Sequence, residues 1–132
     1  MGSINRLQIA TSILDDLSSY FVDYHDCTFV MAGDFNVNLD SNDVVACRIQ
    51  RLISEFSLVR CDDLFPAEKK HTYVNFSLDQ CSSIDYILTS SACGVKRFGV
   101  LDPDINFSDH MPLITEITTC SHIDSKLSLI HI

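Results

Sequence analysis

The feature that most constrains the fold of this chain is the stretch Thr28–Asn36, in which an apolar run ends at Gly33 and the polar residues Asp34 and Asn36 follow. A short run of β-branched and aromatic residues closed by a glycine is typical of a buried strand. Glycine lets the chain turn sharply as it leaves such a strand. Alternation points Asp34 and Asn36 to one side while Phe35 faces the core. The stretch therefore predicts a strand with a polar exit, which is either a simple turn or one edge of a ligand site.

Two predicted helices and several predicted strands make up the rest of the chain. Apolar residues recur at three- and four-residue steps over residues 3–24, and again from residue 43 to about residue 57. Strand-like runs follow the first helix at 27–32 and the second at 58–61, and then occupy 72–76, 83–89, 95–101 and 111–119, with an irregular loop at 62–70 and a polar turn at 79–82. This order predicts an α/β (α+β) fold over residues 1–119 and a tail without clear structure over residues 120–132.

Composition narrows the class of protein further. A hydrophobic content of 46% over 132 residues is enough to bury a core, and no apolar run is long enough to cross a membrane, so no membrane partner is expected. Six cysteines without paired spacing, and no signal peptide, favour reduced, buried thiols in an intracellular protein and argue against a zinc site. The net charge of −9 weakens a nucleic-acid interpretation without excluding it, because carboxylates at a metal site count toward that total.

Three further polar sets lie at the edges of predicted strands: Thr72 with Tyr73, Asp85, and Asp109 with His110. Each has an ordinary structural explanation when it is taken alone. Asp85 falls in an apolar run, where a carboxylate is costly to bury unless it is paired. An ion pair or a histidine would satisfy it.

The order of these sets resembles the endonuclease/exonuclease/phosphatase superfamily. The resemblance rests on Gly33-Asp34-Phe35-Asn36, then Ser83-Ile84-Asp85-Tyr86-Ile87, then Ser108-Asp109-His110 followed by Pro112-Leu113, and it covers roughly residues 5–118. The Thr72-Tyr73 strand and the run Ile84-Asp85-Tyr86-Ile87-Leu88 are similar to the endonuclease domains of non-LTR (LINE-type) retrotransposons, which are relatives of the apurinic/apyrimidinic endonucleases.

The resemblance implies a role for each residue of the central set. Asp34 would orient or deprotonate the attacking water, and Asn36 would hydrogen-bond that water or a phosphate oxygen. Asp85 would accept a hydrogen bond from His110, which fixes the tautomer of the ring and favours its protonated form.

The resemblance also implies how substrate and metal are held. Thr72 and Tyr73 would lie near the substrate, although ordinary strand positions explain them equally well. Asp109 would be a metal ligand or would support one. The implied cofactor is Mg²⁺, with Mn²⁺ as a substitute, and the implied partner is DNA in the nucleus.

The family domain is roughly twice the length of this chain, a four-layer α/β/β/α sandwich whose first half carries a metal-binding Glu. The chain is therefore expected to be the C-terminal portion of such a domain, supplying about one sheet with two helices and lacking a partner N-terminal half. Whether it is an active enzyme alone stays open. Two alternatives also stay open: another phosphoesterase of the superfamily (a phosphoinositide phosphatase, a sphingomyelinase or a deadenylase), or a non-catalytic α/β fragment.

Overall fold

In a computed structural model, which describes residues 3–91 and 93–118, two helices lie against small antiparallel sheets. The helices are α1 (Ser3–Asp23) and α2 (Val44–Glu55). The strands are β1 (Val30–Asp34), β2 (Leu58–Arg60), β3 (Tyr73–Asn75), β4 (Gln80–Ser82), β5 (Asp85–Ser90), β6 (Gly94–Val100) and β7 (Leu113–Thr118). Short 3₁₀ turns occupy Asp62–Leu64 and Pro66–Glu68. The predicted mixed α/β fold with two helices is confirmed, and the predicted tail at 120–132 lies outside the described residues.

The two helices form because each has one apolar face and a defined packing partner. Helix α1 buries Ala10, Leu14, Leu17 and Phe21, which recur at steps of four, three and four residues. Asp43 caps α2 by accepting hydrogen bonds from the backbone N–H groups of Val45 and Ala46. The Arg6 guanidinium donates two hydrogen bonds to the Asp43 carboxylate, at 3.0 and 3.2 Å, and so ties α1 to the start of α2.

Strand β5 is the centre of the fold. It pairs antiparallel with β1 on one side and with β2 on the other, giving the sheet order β1-β5-β2. Tyr86 and Leu88 pack with the two helices, whereas Ile87 packs with Phe98 and Val100 of β6 on the opposite face. The molecule therefore has three layers: the helices, the β1-β5-β2 sheet, and the β6–β7 ribbon. A third, two-stranded sheet, β3–β4, carries residues of the site described below.

Three local expectations from the sequence need correction. The first strand runs from Val30 rather than residue 27, and it lies at the sheet edge with Val30 half exposed rather than buried. The predicted turn at 79–82 contains β4, because Gln80–Ser82 pairs with Tyr73–Asn75 across a turn in which Asp79 has a φ of 50°. Asp85 is the first residue of β5 rather than an interior one.

Two further observations concern the sequence predictions on cysteines and on membranes. The five cysteines of the described residues are free thiols, and Cys120 lies outside that part of the chain. Cys61 and Cys93 are buried as predicted, whereas the prediction of burial is wrong for Cys27, Cys47 and Cys81, which are exposed. Among the helices of residues 3–91 and 93–118, none is both long and apolar enough to span a bilayer.

Candidate active site

Two carboxylates face each other where β1 ends and β5 begins. The antiparallel register of these strands places Asp34 directly opposite Asp85. Two like charges in directly opposite positions destabilise a strand pair. The arrangement therefore needs a positive group between the two side chains.

His110 supplies a group between them. Its Nδ1 lies 2.9 Å from Asp85 Oδ2 and 3.1 Å from Oδ1, and its Nε2 lies 3.7 Å from Asp34 Oδ2. The Nδ1–H donates to Asp85, so Nε2 is the nitrogen turned toward Asp34. This hydrogen bond, together with the negative charges of Asp85, Asp34 and Asp109, raises the pKa of His110 above 6.5 despite partial desolvation. The ring is thereby favoured as an imidazolium that links the two strands.

The backbone of β3 holds the segment that carries His110. Tyr73 forms an isolated antiparallel bridge with His110, and the Val74 N–H donates to the Asp109 carbonyl at 2.8 Å. On the other side, the Met111 N–H donates to the Thr72 carbonyl at 2.7 Å. These backbone bonds fix the position of His110 relative to β3.

Side chains within the loop complete the support of His110. Ser108 Oγ accepts from the His110 N–H at 3.1 Å, and Asn106 Nδ2 donates to the His110 carbonyl at 3.1 Å. The Asn106 side chain also accepts from the Ser108 N–H. Sequence reasoning singled out neither side chain for this role, although the Asn106-x-Ser108 spacing is a recognisable side-chain turn signal.

The exit of β1 has two unusual backbone conformations. Gly33 has a φ of 150°, in a region that residues with a Cβ rarely occupy. Asn36 has a φ of 54°, a left-handed conformation that Asn tolerates better than most residues. The Asn36 N–H donates to Asp34 Oδ1 at 2.7 Å, so this turn holds one carboxylate oxygen and leaves Oδ2 toward His110. Phe35 is buried, as the alternation of the sequence predicts.

Thr72 and Tyr73, which the sequence predicts near the substrate, differ in exposure. Thr72 is only 3% exposed, and its hydroxyl oxygen accepts from the backbone N–H groups of Ile84 and Asp85. Tyr73 is partly exposed, and its ring packs edge-on against the His110 ring with centroids 5.3 Å apart. Contact of either residue with a substrate stays a prediction.

Asp109 lies beside the central cluster and contacts Asn75, a residue that sequence reasoning missed. Asn75 Nδ2 lies 3.5 Å from Asp109 Oδ2 and 3.4 Å from the Tyr73 hydroxyl. Asn75 and Tyr73 share a face of β3, and that period of two is the signal that could have identified it. The predicted metal role of Asp109 stays a prediction.

The central cluster has a donor set that fits a divalent cation. Within residues 3–91 and 93–118, the group able to share one ion consists of Asp34, Asp85 and His110, whose ligand atoms lie within 4.8 Å of one another. Carboxylate oxygens suit Mg²⁺ and Mn²⁺. His110 is less suited to Mg²⁺ because Mg²⁺ prefers oxygen, and because its Nδ1 is already hydrogen-bonded to Asp85. The two carboxylates are therefore the residues that would hold the ion.

Comparison with known proteins identifies the family. The model of the endonuclease/exonuclease/phosphatase family matches residues 6–110. The chain belongs to the endonuclease/exonuclease/phosphatase family. The match includes every residue of the candidate site except Met111. A search of curated proteins finds no match.

Three solved structures show the same fold as this endonuclease/exonuclease/phosphatase chain. A mannosyl-6-phosphatase of Bacteroides thetaiotaomicron VPI-5482 has a TM-score of 0.62 at 21% identity, with 90% of this chain and 48% of that chain covered. An endonuclease/exonuclease/phosphatase family protein from Bacteroides thetaiotaomicron has a TM-score of 0.57 at 23% identity, with 79% of this chain and 42% of that chain covered. A functionally unknown conserved protein from Enterococcus faecalis V583 has a TM-score of 0.55 at 22% identity, covering 83% and 45%. The chain thus spans less than half the length of each.

Proposed function

We propose that this chain supplies the phosphate-binding and proton-handling residues of a metal-dependent phosphoester hydrolase. The observation that carries the proposal is His110 standing between Asp34 and Asp85, hydrogen-bonded to one and 3.7 Å from the other. Membership of the endonuclease/exonuclease/phosphatase family supports hydrolysis of a phosphoester as the reaction class.

The geometry supports a separate role for each residue in this proposal. Asp85 holds the His110 ring through Nδ1, so Nε2, which lies 3.7 Å from Asp34 Oδ2, is the nitrogen that would donate to a phosphate oxygen in the protonated state favoured by the raised pKa. Asp34 has one oxygen tied to the Asn36 N–H, and its other oxygen is available to orient a water for attack on phosphorus. A divalent cation held by the carboxylates of Asp34 and Asp85, with Asp109 nearby, would neutralise the developing negative charge.

DNA is the first substrate class proposed, with Mg²⁺ or Mn²⁺ as the cation. The likeness of Thr72-Tyr73 and Ile84–Leu88 to LINE-type retrotransposon endonucleases supports it. In that case the whole enzyme includes an N-terminal half of the same domain, and this chain is the C-terminal portion. Such an enzyme would act in the nucleus.

A phosphomonoester is the second candidate, and two observations favour it. The net charge of −9 is unfavourable for a polyanionic backbone. The structure that covers 90% of this chain is that of a mannosyl-6-phosphatase.

One experiment with two substrates tests the proposal. The chain would be incubated with supercoiled plasmid and, separately, with mannose 6-phosphate, in Mg²⁺, in Mn²⁺ and in chelator. We expect metal-dependent nicking that is lost in Asp34→Ala and His110→Ala and retained in His25→Ala, a matched control in the exposed turn that follows α1. Phosphate release without nicking would select the second candidate.

A binding measurement covers the case in which the chain does not turn over. Mn²⁺ is paramagnetic and broadens NMR signals close to it. We expect selective broadening at Asp34, Asp85 and His110 in the wild-type chain, and its loss in Asp34→Ala. No hydrolysis of either substrate, together with no selective broadening, would overturn the proposal.

A further inference from the structure

We propose that Thr72 is a positioning residue, which holds Asp85 and His110 in register and does not contact the substrate. The inference rests on the proposed function for its catalytic consequence, and on hydrogen bonds for its structural part. It replaces the substrate contact expected from the sequence with a role that a buried side chain can perform.

The Thr72 hydroxyl supports the start of β5. Its Oγ1 accepts from the Ile84 N–H at 3.0 Å and from the Asp85 N–H at 3.1 Å. Thr72 is 3% exposed, so water has little access to replace these bonds. A buried N–H without an acceptor is unfavourable, and the backbone can avoid this by moving. Movement of the Asp85 backbone would displace its carboxylate from the His110 ring.

The Thr72 backbone supports the other member of the pair. Its carbonyl accepts from the N–H of Met111, the residue that follows His110, at 2.7 Å. Its N–H donates to the Ser82 carbonyl at 3.0 Å, which anchors Thr72 itself to β4. A single residue is therefore bonded to the backbone at Asp85 and beside His110, and it bridges two segments that lie 25 residues apart.

Tyr73, the next residue, points the opposite way along the alternation of β3 and packs against the imidazole ring. The two neighbours thus divide the support: Thr72 sets the backbone positions, and Tyr73 limits the tilt of the ring. A substrate contact would need exposure that Tyr73 has and Thr72 lacks.

Three variants of the full chain test the inference. Thr72→Val keeps the shape of the side chain and removes the acceptor, whereas Thr72→Ser keeps the hydroxyl. Thr89→Val makes the same change at a threonine of β5 that is also buried, far along the strand from Asp85. The readouts are the ¹⁵N signals of the His110 ring, recorded at a pH where the ring is neutral, and the exchange rates of the Ile84 and Asp85 amide protons.

The expected pattern separates positioning from general stability. In Thr72→Val the signature of a protonated Nδ1 is lost and both amides exchange faster, while Thr72→Ser and Thr89→Val resemble the wild type. A wild-type ring signature in folded Thr72→Val would overturn the inference. If Thr72→Val does not fold, Thr72→Cys, a weaker acceptor of similar size, is expected to give an intermediate signature, and an unchanged signature there would overturn it equally.

A kinetic arm links the inference to the reaction. With the substrate that the chain hydrolyses, we expect Thr72→Val to lower kcat by about 10–100-fold with little change in KM. A raised KM at unchanged kcat would identify Thr72 as a substrate contact and overturn the inference. Because the NMR readouts need no turnover, failure of the proposed hydrolysis and failure of the positioning role give different results.

Discussion

At the scale of single residues, the site consists of two carboxylates that repel each other and a histidine ring that lies between them. Asp34 and Asp85 occupy directly opposite positions of two paired strands, and the His110 ring lies against both. A histidine is well suited to this place because its charge responds to the carboxylates around it. Under the proposed function, the same ring that links the two strands would also donate a proton to the phosphoester.

This coupling predicts how stability depends on pH. Asp85 raises the pKa of His110 in the folded protein above the ordinary 6.5. The stabilisation of the folded state by the Asp85–His110 ion pair is therefore fully present below about pH 6.5, and it is lost as the pH rises through the folded-state pKa. The measurement is the free energy of unfolding of wild type and Asp85→Asn, by denaturant titration from about pH 5 to about pH 9. The difference in the free energy of unfolding between the wild type and Asp85→Asn should decrease as the pH rises. A constant or growing difference would contradict the assignment, and Asp16→Asn on exposed α1 serves as the matched control.

A second residue-scale prediction concerns the buried Thr89. Its hydroxyl is fully buried and has no nitrogen or oxygen partner within the described part of the chain. The Cys61 thiol nearby is a weak partner, and its own pKa is raised by burial. We expect Thr89→Val to leave stability unchanged or to raise it by about 1 kcal/mol. Differential scanning calorimetry would show a clear loss if the hydroxyl makes a strong bond.

The sequence identifies the charged members of the site better than their supports. Asp34, Asp85 and His110 stand in recognisable motifs, and the structure brings all three together. The roles of Thr72 and Asn75 depend on which backbone groups and side chains lie opposite them after folding. Nothing in the local sequence around a threonine specifies that it will accept two N–H groups from residues 12 and 13 positions away.

At the scale of elements, the start of α2 depends on Asp43. This side chain caps the helix and also accepts two hydrogen bonds from Arg6. We expect Asp43→Ala to cost about 1–2 kcal/mol, because both functions are lost. Asp43→Asn, which keeps the cap, and Arg6→Ala, which removes only a partly exposed ion pair, should each cost about 1 kcal/mol or less. Urea denaturation would measure all three, and equal losses in Asp43→Ala and Arg6→Ala would show that the cap contributes nothing.

The end of β1 depends on the backbone conformation of Gly33. A Cβ at this position would meet no atom within 4 Å, so any cost of Gly33→Ala comes from its φ of 150°. We expect a loss of about 1–3 kcal/mol in thermal or urea unfolding. Gly99→Ala on β6 is the control, because its new Cβ would lie 3.4 Å from Ile114 and its backbone is not in that region. A neutral Gly33→Ala would show that the turn readily adopts another conformation.

The boundaries of helices and strands are predicted most accurately where the local sequence pattern is strong. Both helices were predicted within a few residues, since each has an apolar face of regular period and α2 has an Asp cap. The sequence does not predict β4 because Gln80, Cys81 and Ser82 have no strand-like composition. They form a strand because they pair with β3. The sequence predicts the start of β1 too early because the run begins at residue 27, whereas the paired positions begin at Val30. Of residues 27–29, Phe29 is the one whose backbone bonds to β5, its carbonyl accepting from the Ser90 N–H at 2.9 Å.

At the scale of the whole molecule, the helical layer and the β6–β7 ribbon cover opposite faces of β5, while strand edges stay open. Within residues 3–91 and 93–118, β1 pairs with a strand on one side only, and β6–β7 is a two-stranded ribbon. Open edges of this kind are templates for pairing with another chain. The sequence predicts two helices with about one sheet. It does not predict that the strands of the described residues divide into three small sheets, since that division depends on pairings between distant segments.

The open edge of β1 predicts association of the isolated chain. Val30 on this strand is 50% exposed, and a lysine there should discourage edge pairing. We expect light scattering to show concentration-dependent association of the wild type that is reduced in Val30→Lys. Val22→Lys, at an exposed valine of α1, is the matched control and should leave association unchanged. A wild type that remains monomeric at all concentrations would contradict the prediction.

The register of β1 against β5 also limits how related sequences can change in length. Successive residues of a strand point to opposite faces, so one residue inserted within β1 or β5 would turn Asp34 or Asp85 away from His110. By contrast, a residue inserted into the exposed segment 102–105, which lies between β6 and the site, would leave the register of both strands unchanged. Relatives that keep the three side chains should therefore gain and lose residues at 102–105, while the interiors of the two strands keep a constant length.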